Sequence, residues 1–273
     1  QLIHPDALDF ETPVETYWEA SADPLNLEPT SLQRDVTCDV AIIGGGYTGL
    51  SAALELAEQG IDVCVLEAGS IGWGASGRNG GFACIGSHKL PYATMIKRYG
   101  LAATKAFYNN MRASVELVAD NAERYNIDIW KTGQGEITLA HLPNRFDQLR
   151  EDQACYKANF GEANELLTVE DLKVQGLSAP HFHGGLKSEI GFGIHPLNYA
   201  RGLACAAAKA GAKLYHHTKV TRWEQRDGAH VLYTDQNTIK ARRVIVATNG
   251  YTPESVSEFH AGRVLPALSN IIV

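Results

Sequence analysis

Residues 38–69 read CDVAIIGGGYTGLSAALELAEQGIDVCVLEAG, and the order of elements in this stretch decides the fold. Cys38–Ile43 is a short apolar run, as a strand buried on both faces requires. Thr48–Gln59 carries Leu50, Ala53, Leu54 and Ala57 at helical spacing, and Gly60 supplies a stop. Asp62–Leu66 is a second apolar run, and it ends at Glu67. Strand, turn, helix and strand within one such length predict a βαβ unit.

The turn between first strand and helix contains G-x-G-x-x-G at Gly44, Gly46 and Gly49. One glycine permits the tight turn, one lets a diphosphate approach the backbone, and one lets helix and strand pack closely. The diphosphate would lie on the free N–H groups of the helix N-terminus, where the helix dipole favours negative charge. Glu67 stands where an acid binds ribose hydroxyls, so the unit predicts a dinucleotide and disfavours a 2′-phosphate.

The stretch that follows, residues 69–86, reads GSIGWGASGRNGGFACIG, with seven glycines in eighteen residues. An NAD-binding unit would lead on to another crossover helix, whereas this loop suits a backbone wrapped along a longer cofactor. Ile71, Trp73, Phe82, Cys84 and Ile85 make it too apolar for a mobile surface loop. The reading is FAD, with Arg78 or Asn79 adding polar contact.

The wider composition limits the alternatives. At 273 residues, 45% apolar and 20% charged, the chain can bury a large core. A formal net charge of −7 argues against nucleic acid or an anionic membrane as partner. No run reaches the roughly 20 apolar residues of a membrane span, and the acidic N-terminus lacks the order of a signal peptide. Cys38, Cys64, Cys84, Cys155 and Cys205 are widely spaced with no C-x-x-C, which points to free thiols and a reducing, cytoplasmic setting. His181, His183, His216 and His217 have no acidic or cysteine partner at ligand spacing, so no metal is expected.

Beyond the nucleotide unit, residues 1–34 read as an extended, proline-punctuated arm. Leu101–Tyr125, Pro143–Phe160 and Pro196–Ala210 read as helices, and Thr168–Asp171 resembles a helix start with Asp in place of Glu or Gln. Gly135–His141, Gly184–Ile194, Lys213–His216, Val220–Gln225, Val231–Thr234 and Val244–Ala247 read as strands.

Residues 38–69 followed by GASGRNGG (74–81) resemble the D-amino-acid-oxidase-type FAD-dependent oxidoreductases. Within them the chain is most similar to the γ-glutamylputrescine oxidoreductase branch. The resemblance extends to YWEASADP (17–24), HPLNYARGLACAAAKAGAKLYHHTKV (195–220), VIVATNGYTP (244–253) and RVLPALSNIIV (263–273). It implies an α/β fold: a Rossmann-like, glutathione-reductase-type FAD domain with an inserted α+β substrate domain, truncated at the C-terminal end. The expected boundaries are an arm at 1–34, an FAD domain at 35–95 and 193–253, and an incomplete substrate domain at 96–192 and 254–273. That inserted segment would cover the reactive face of the flavin.

Carried over by position, Gly44, Gly45, Gly46, Thr48 and Gly49 would hold the diphosphate and Glu67 the adenosine ribose, with Ala68 and Gly69 following the adenosine. Ala75, Ser76, Arg78, Asn79, Gly80 and Gly81 match the loop along the ribityl chain and flavin ring. Val220 matches a backbone contact to adenine, and Thr248, Asn249 and Gly250 match a segment approaching from the other side. The histidine that links flavin covalently in some relatives has no counterpart near Gly74, so FAD is expected to be noncovalent at this loop. The family's other attachment site would lie beyond residue 273.

The implied reaction moves a hydride from the carbon bearing nitrogen to flavin N5, leaving an imine that hydrolyses. No nucleophile or triad is required. Arg78 and His195 are the side chains singled out for catalytic roles. Three readings stand. The substrate is a γ-glutamylputrescine-like amine; or it is sarcosine, glycine or a D-amino acid; or the chain is a non-catalytic FAD-binding fragment or subunit that a second chain completes. Oxygen or another acceptor would take the electrons.

Overall fold

The computed structural model describes residues 8–12, 15–27, 30–86, 89–252 and 263–264. Along the chain the elements are α1 (Tyr17–Ser21), β1 (Val36–Ile43), α2 (Tyr47–Glu58), β2 (Val63–Leu66), β3 (Phe82–Ala83), α3 (Tyr92–Tyr99), α4 (Leu101–Arg124), β4 (Glu136–Leu139), α5 (Pro143–Phe160), β5 (Glu165–Leu167), α6 (Val169–Val174), β6 (Gly185–Ser188), β7 (Phe192–Gly193), α7 (Pro196–Lys209), β8 (Lys213–Tyr215), β9 (Arg222–Arg226), β10 (Ala229–Tyr233) and β11 (Thr238–Val246). They fall into two compact units. The first comprises residues 1–81, 121–129 and 195–273, the second 82–120 and 130–194. Nearly all of the expected substrate-domain segment 254–273 lies outside the described residues.

The first unit is built on a six-stranded sheet in the order β8-β2-β1-β11-β10-β9. β8, β2, β1 and β11 run parallel, and β10 and β9 complete the sheet antiparallel. The apolar run of β2 is buried at all four positions, as a central parallel strand demands. On one face, α2 buries Gly49, Leu50, Ala53, Leu54 and Ala57 and lies against α7. Leu32, Cys38, Ala41, Ile43, Cys64, Leu66, Val220, Leu232, Ile239 and Ala241 form another buried cluster. No helix among the described residues is long and apolar enough to cross a membrane.

The second unit holds the antiparallel sheet β4-β6-β5, the ribbon β3-β7 and the helix α5, which packs on β6 and β5. Tyr92, Tyr108, Tyr156 and Phe160 meet ring to ring within it; Tyr108 stacks on Phe160 at 4.2 Å. At the start of α6, Thr168 accepts the Asp171 amide and Asp171 accepts the Thr168 amide. The capping box forms with aspartate in the usual glutamate position.

Three sequence expectations need correction. The arm is not wholly extended, because Tyr17–Ser21 is helical with Thr16 accepting the Glu19 amide. The segment 184–194 is two strands, since Gly191 at φ +126° turns the chain between β6 and β7. The last strand begins at Thr238, six residues before the apolar run at Val244. Lys240, Arg242 and Arg243 are exposed and break the apolar pattern, while Ile239 and Ala241 are buried. Cys38 and Cys64 stand on adjacent strands with their Sγ atoms 3.3 Å apart in the core, and both are free thiols, as expected.

Candidate functional site

The parallel strands β1, β2 and β11 end together, and a cavity of about 90 Å³ opens at their C-terminal ends. Crevices at this end of an open parallel sheet are where such folds place ligands. Its walls include Ile43, Gly44 and Gly46 after β1, Leu66, Glu67 and Ala68 after β2, and Ala247, Thr248 and Asn249 after β11. Gly74, Ala75 and Ser76 of the glycine-rich loop complete that side.

The glycine turn is held open by contacts that no side chain could share. Gly44 adopts φ +111°, and a Cβ there would lie 2.6 Å from the Ala247 carbonyl oxygen. A Cβ on Gly49 would run into the Gly44 carbonyl oxygen and lie 3.2 Å from Ile42 Cγ2, so this glycine sets how closely α2 approaches β1. Gly46 caps α2 without a side-chain hydrogen bond. Among the described residues, none accepts from the amides of Gly46, Thr48 or Gly49. Free N–H groups, the positive end of the helix dipole and a cradle that a Cβ would fill together fit a diphosphate.

Glu67 links the two strand ends. One carboxylate oxygen accepts the Gly45 amide at 2.6 Å and the other accepts the Gly69 amide at 2.9 Å. The residue is only 8% exposed, and its pKa is raised from 4.5 by burial, against the opposing pull of those two N–H groups. Each oxygen retains a further lone pair, so the acid can still accept from ribose hydroxyls.

The glycine-rich loop is tied to the same place. The Gly72 amide donates to the Gly45 carbonyl at 3.1 Å, and the Tyr47 amide donates to Ser76 Oγ at 3.0 Å. Asn79 locks the loop from inside: its Nδ2 donates to the Ala75 and Ser76 carbonyls, and its Oδ1 accepts the Gly81 amide. Its own carbonyl accepts the Trp18 indole N–H at 2.9 Å.

Of the sequence-predicted residues, Gly44, Gly46, Glu67, Ala68, Ala75, Ser76, Thr248 and Asn249 line the cavity. Gly45 lies in the turn, Thr48 and Gly49 in the first turn of α2, and Gly69 anchors Glu67. Asn79, Gly80 and Gly81 belong to the interlocked loop, while Gly250 lies in the short helical turn Asn249–Tyr251. The Val220 side chain is in the core, which leaves only its main chain for a ligand. Arg78 is absent from this lining. Its guanidinium lies 4.0 Å over the Trp73 ring, half-buried, and borders a second cavity of about 250 Å³ with Glu11, Glu19 and His217. His195 is 1% exposed and serves as the N-cap of α7: its Nδ1 accepts the Asn198 amide at 3.1 Å, and its Nε2 lies 3.2 Å from Ser21 Oγ.

Sequence reasoning missed Phe10, Trp73 and Tyr251, which also line the first cavity. Trp73 lay inside the quoted loop and could have been read as more than filler. Phe10 carried no signal, because the arm's approach to the pocket is a tertiary fact.

The chain matches the family model described as DAO, FAD dependent oxidoreductase, over residues 39–273. It is 34% identical over 257 residues to the γ-glutamylputrescine oxidoreductase of Escherichia coli K12, covering 94% of this chain and 59% of that protein. It is 32% identical over 216 residues to the glycine oxidase of Geobacillus kaustophilus, covering 78% of this chain and 55% of that protein. The crystal structure of glycine oxidase from Geobacillus kaustophilus superposes with a TM-score of 0.66 at 29% identity, covering 81% of this chain and 57% of that one. The chain therefore spans a little over half the length of these relatives.

Proposed function

The chain belongs to the DAO family of FAD-dependent oxidoreductases, and from that premise we propose that it serves the oxidation of an amine or amino acid at the carbon bearing nitrogen. The bond broken is the C–H beside nitrogen. Two electrons and the hydrogen leave together as hydride, the nitrogen gives up a proton to the solvent, and the resulting imine takes up water to give a carbonyl compound and the free amine or ammonia. FAD supplies, when bound, the two-electron acceptor for this step, and oxygen or another acceptor removes the electrons afterwards.

This chain's own residues bind and orient. Gly44 and Gly46 leave room for the diphosphate, and the α2 amides and dipole stabilise its charge. Glu67 accepts from the ribose, and Ala68 and Gly69 flank it. Ala75, Ser76, Asn79, Gly80 and Gly81 give the loop a fixed main-chain surface. Thr248 and Asn249 bound the cavity from the third strand end, and Gly250 follows them in the turn Asn249–Tyr251. Arg78 is the positive charge proposed to favour the reduced cofactor or a substrate carboxylate; Arg78→Met is then expected to slow reduction, and an unchanged rate discards the role.

The observation that carries the amine reading is the likeness, over almost the whole chain, to a γ-glutamylputrescine oxidoreductase, so a γ-glutamylated amine is the proposed substrate. A second reading, glycine or a related small amino acid, is favoured by the likeness to glycine oxidase in sequence and in fold. Anaerobic bleaching of the FAD-loaded protein separates them. γ-Glutamylputrescine is expected to bleach it; bleaching by glycine, sarcosine or a D-amino acid alone selects the second reading. A yellow protein inert to all of them overturns both.

A further inference from the structure

Three aromatic rings from distant parts of the chain meet in the cofactor pocket. Phe10 comes from the N-terminal arm, Trp73 from the glycine-rich loop and Tyr251 from the segment after β11. Their centroids lie 4.8 Å (Phe10–Trp73), 5.5 Å (Trp73–Tyr251) and 6.3 Å (Phe10–Tyr251) apart, with interplanar angles of 62°, 68° and 66°. Each ring thus presents an edge to the next, the attractive arrangement for aromatic quadrupoles. Two cations flank the group: Arg78 over Trp73, and Lys219 at 5.5 Å over Phe10.

One atom in this cluster lacks an explanation by packing alone. Trp73 Nε1 is buried and has no hydrogen-bond acceptor among the described residues. A buried donor left unpaired costs about 1–3 kcal/mol. Trp73 borders both this pocket and the second cavity beside Arg78, whose Nη2 is likewise buried with no partner among the described residues, and a ligand rich in phosphate and hydroxyl oxygens carries the acceptors these donors lack.

Residues 18–23 of the arm are tied down by hydrogen bonds. Trp18 bonds Asn79, Ser21 meets His195, and the Asp23 amide and carboxylate both bond the Asn198 side chain. The same N-terminal arm thus supplies Phe10 to the pocket and, at Trp18, Ser21 and Asp23, bonds to the loop and to residues at the start of α7.

We propose that the arm is a working wall of the FAD site: Phe10 closes the pocket against Trp73 and Tyr251, and the Trp73 indole N–H donates to the bound cofactor. This rests on FAD being the pocket's ligand. The role is one of positioning and retention, not of chemistry.

The test is equilibrium titration of the cofactor-free protein with FAD, read by flavin fluorescence quenching, alongside melting with and without FAD. Phe10→Ala is expected to raise the FAD dissociation constant about tenfold. Trp73→Phe, which keeps a ring and removes the donor, is expected to raise it about fivefold. Without FAD, Phe10→Ala is expected to melt lower and Trp73→Phe no lower than wild type, while in both the rise induced by FAD shrinks. Phe10→Leu, which keeps bulk without a ring, is expected to lose about threefold and serves if the alanine variant does not fold. Unchanged dissociation constants overturn the proposal. So does a loss of melting temperature that is equal with and without FAD, because the cluster is then packing only. A wild-type protein that binds no FAD overturns instead the cofactor reading on which the proposal stands.

Discussion

Glu67 Oε2 accepts the Gly45 amide at 2.6 Å, so the acid that ends β2 also fixes the glycine turn that follows β1. The two halves of the dinucleotide signature are one hydrogen-bonded unit before any ligand arrives. A motif usually read as a list of ligand contacts is here also a self-supporting piece of backbone.

Glu67→Gln separates these roles. The carboxylate satisfies two amides with two acceptor oxygens, Gly45 through one and Gly69 through the other. An amide side chain offers one acceptor and one donor group, so one buried N–H would face another N–H. The expected cost is about 1–3 kcal/mol of stability without cofactor. Thermal or urea unfolding of the cofactor-free protein measures it, and an unchanged midpoint would show that the turn holds itself.

The glycines differ in what they tolerate. At Gly49 a methyl group meets the Gly44 carbonyl and Ile42, both fixed by β1 and the turn, so Gly49→Ala must push α2 off the sheet. At Gly46 a methyl group would meet Ser76 Oγ at 2.7 Å, a side-chain atom with some freedom to rotate. Gly49→Ala is therefore expected to destabilise by about 1–3 kcal/mol. Gly46→Ala is expected to cost less in stability while weakening FAD binding. Unfolding midpoints and FAD titration on the two variants give opposite rankings if this is correct.

His195 makes stability depend on pH. Burial holds its pKa below the ordinary 6.5, despite the nearby Asp23 carboxylate, which pulls upward; Arg201 opposes that pull. Protonation would place hydrogen on Nδ1, which accepts the Asn198 amide at the start of α7. Below pH 6.5 the unfolded chain binds a proton that the folded chain resists, so stability is full above that value and falls as the pH drops through it. The loss begins as the pH falls below 6.5 and is complete once the pH has passed the lowered folded value, where the protonated ring can no longer cap α7. His195→Asn keeps a capping acceptor and removes the titration, so its melting curve should be flatter over the same interval. An equally steep curve assigns the pH dependence elsewhere.

The nucleotide unit was legible because its requirements are local. The apolar run at Cys38–Ile43, the glycine spacing and the helical repeat at Leu50, Ala53, Leu54 and Ala57 each state a backbone conformation without reference to distant residues. What was not legible depended on distance or on exceptions to pattern. β11 was read short because Lys240, Arg242 and Arg243 interrupt its apolar character, although Ile239 and Ala241 mark the buried face. α1 could have been found: Thr16-Tyr-Trp-Glu19 has the spacing of a capping box, and proline-rich surroundings hid it. His195 was singled out for a catalytic role on its place at the end of the 184–194 segment, and its capping of α7 through Nδ1 is a contact that only the folded chain displays. Phe10 and the Cys38–Cys64 contact were beyond any spacing rule, since only the folded chain brings them to their partners.

Trp18→Phe isolates the arm's grip on the loop from its grip on α7. The indole N–H donates to the Asn79 carbonyl at 2.9 Å, and the ring lies 5.0 Å edge-on to His195. Phenylalanine keeps an aromatic ring beside His195 and loses the donor, so α1 can stay docked while the loop loses one tie. The expected cost is about 0.5–1.5 kcal/mol, a fall of a few degrees, roughly 2–4 °C per kcal/mol, for a chain of this size. The effect should be local as well as global. Amides of residues 69–81 are expected to exchange with deuterium faster than in wild type, while those of α7 keep their protection. Because Asn79 also holds Ala75, Ser76 and Gly81, loosening its carbonyl should be felt through the whole loop rather than at one residue. If exchange quickened in α7 and not in the loop, Trp18 would be an anchor for the helix alone, and the tie to Asn79 would be incidental.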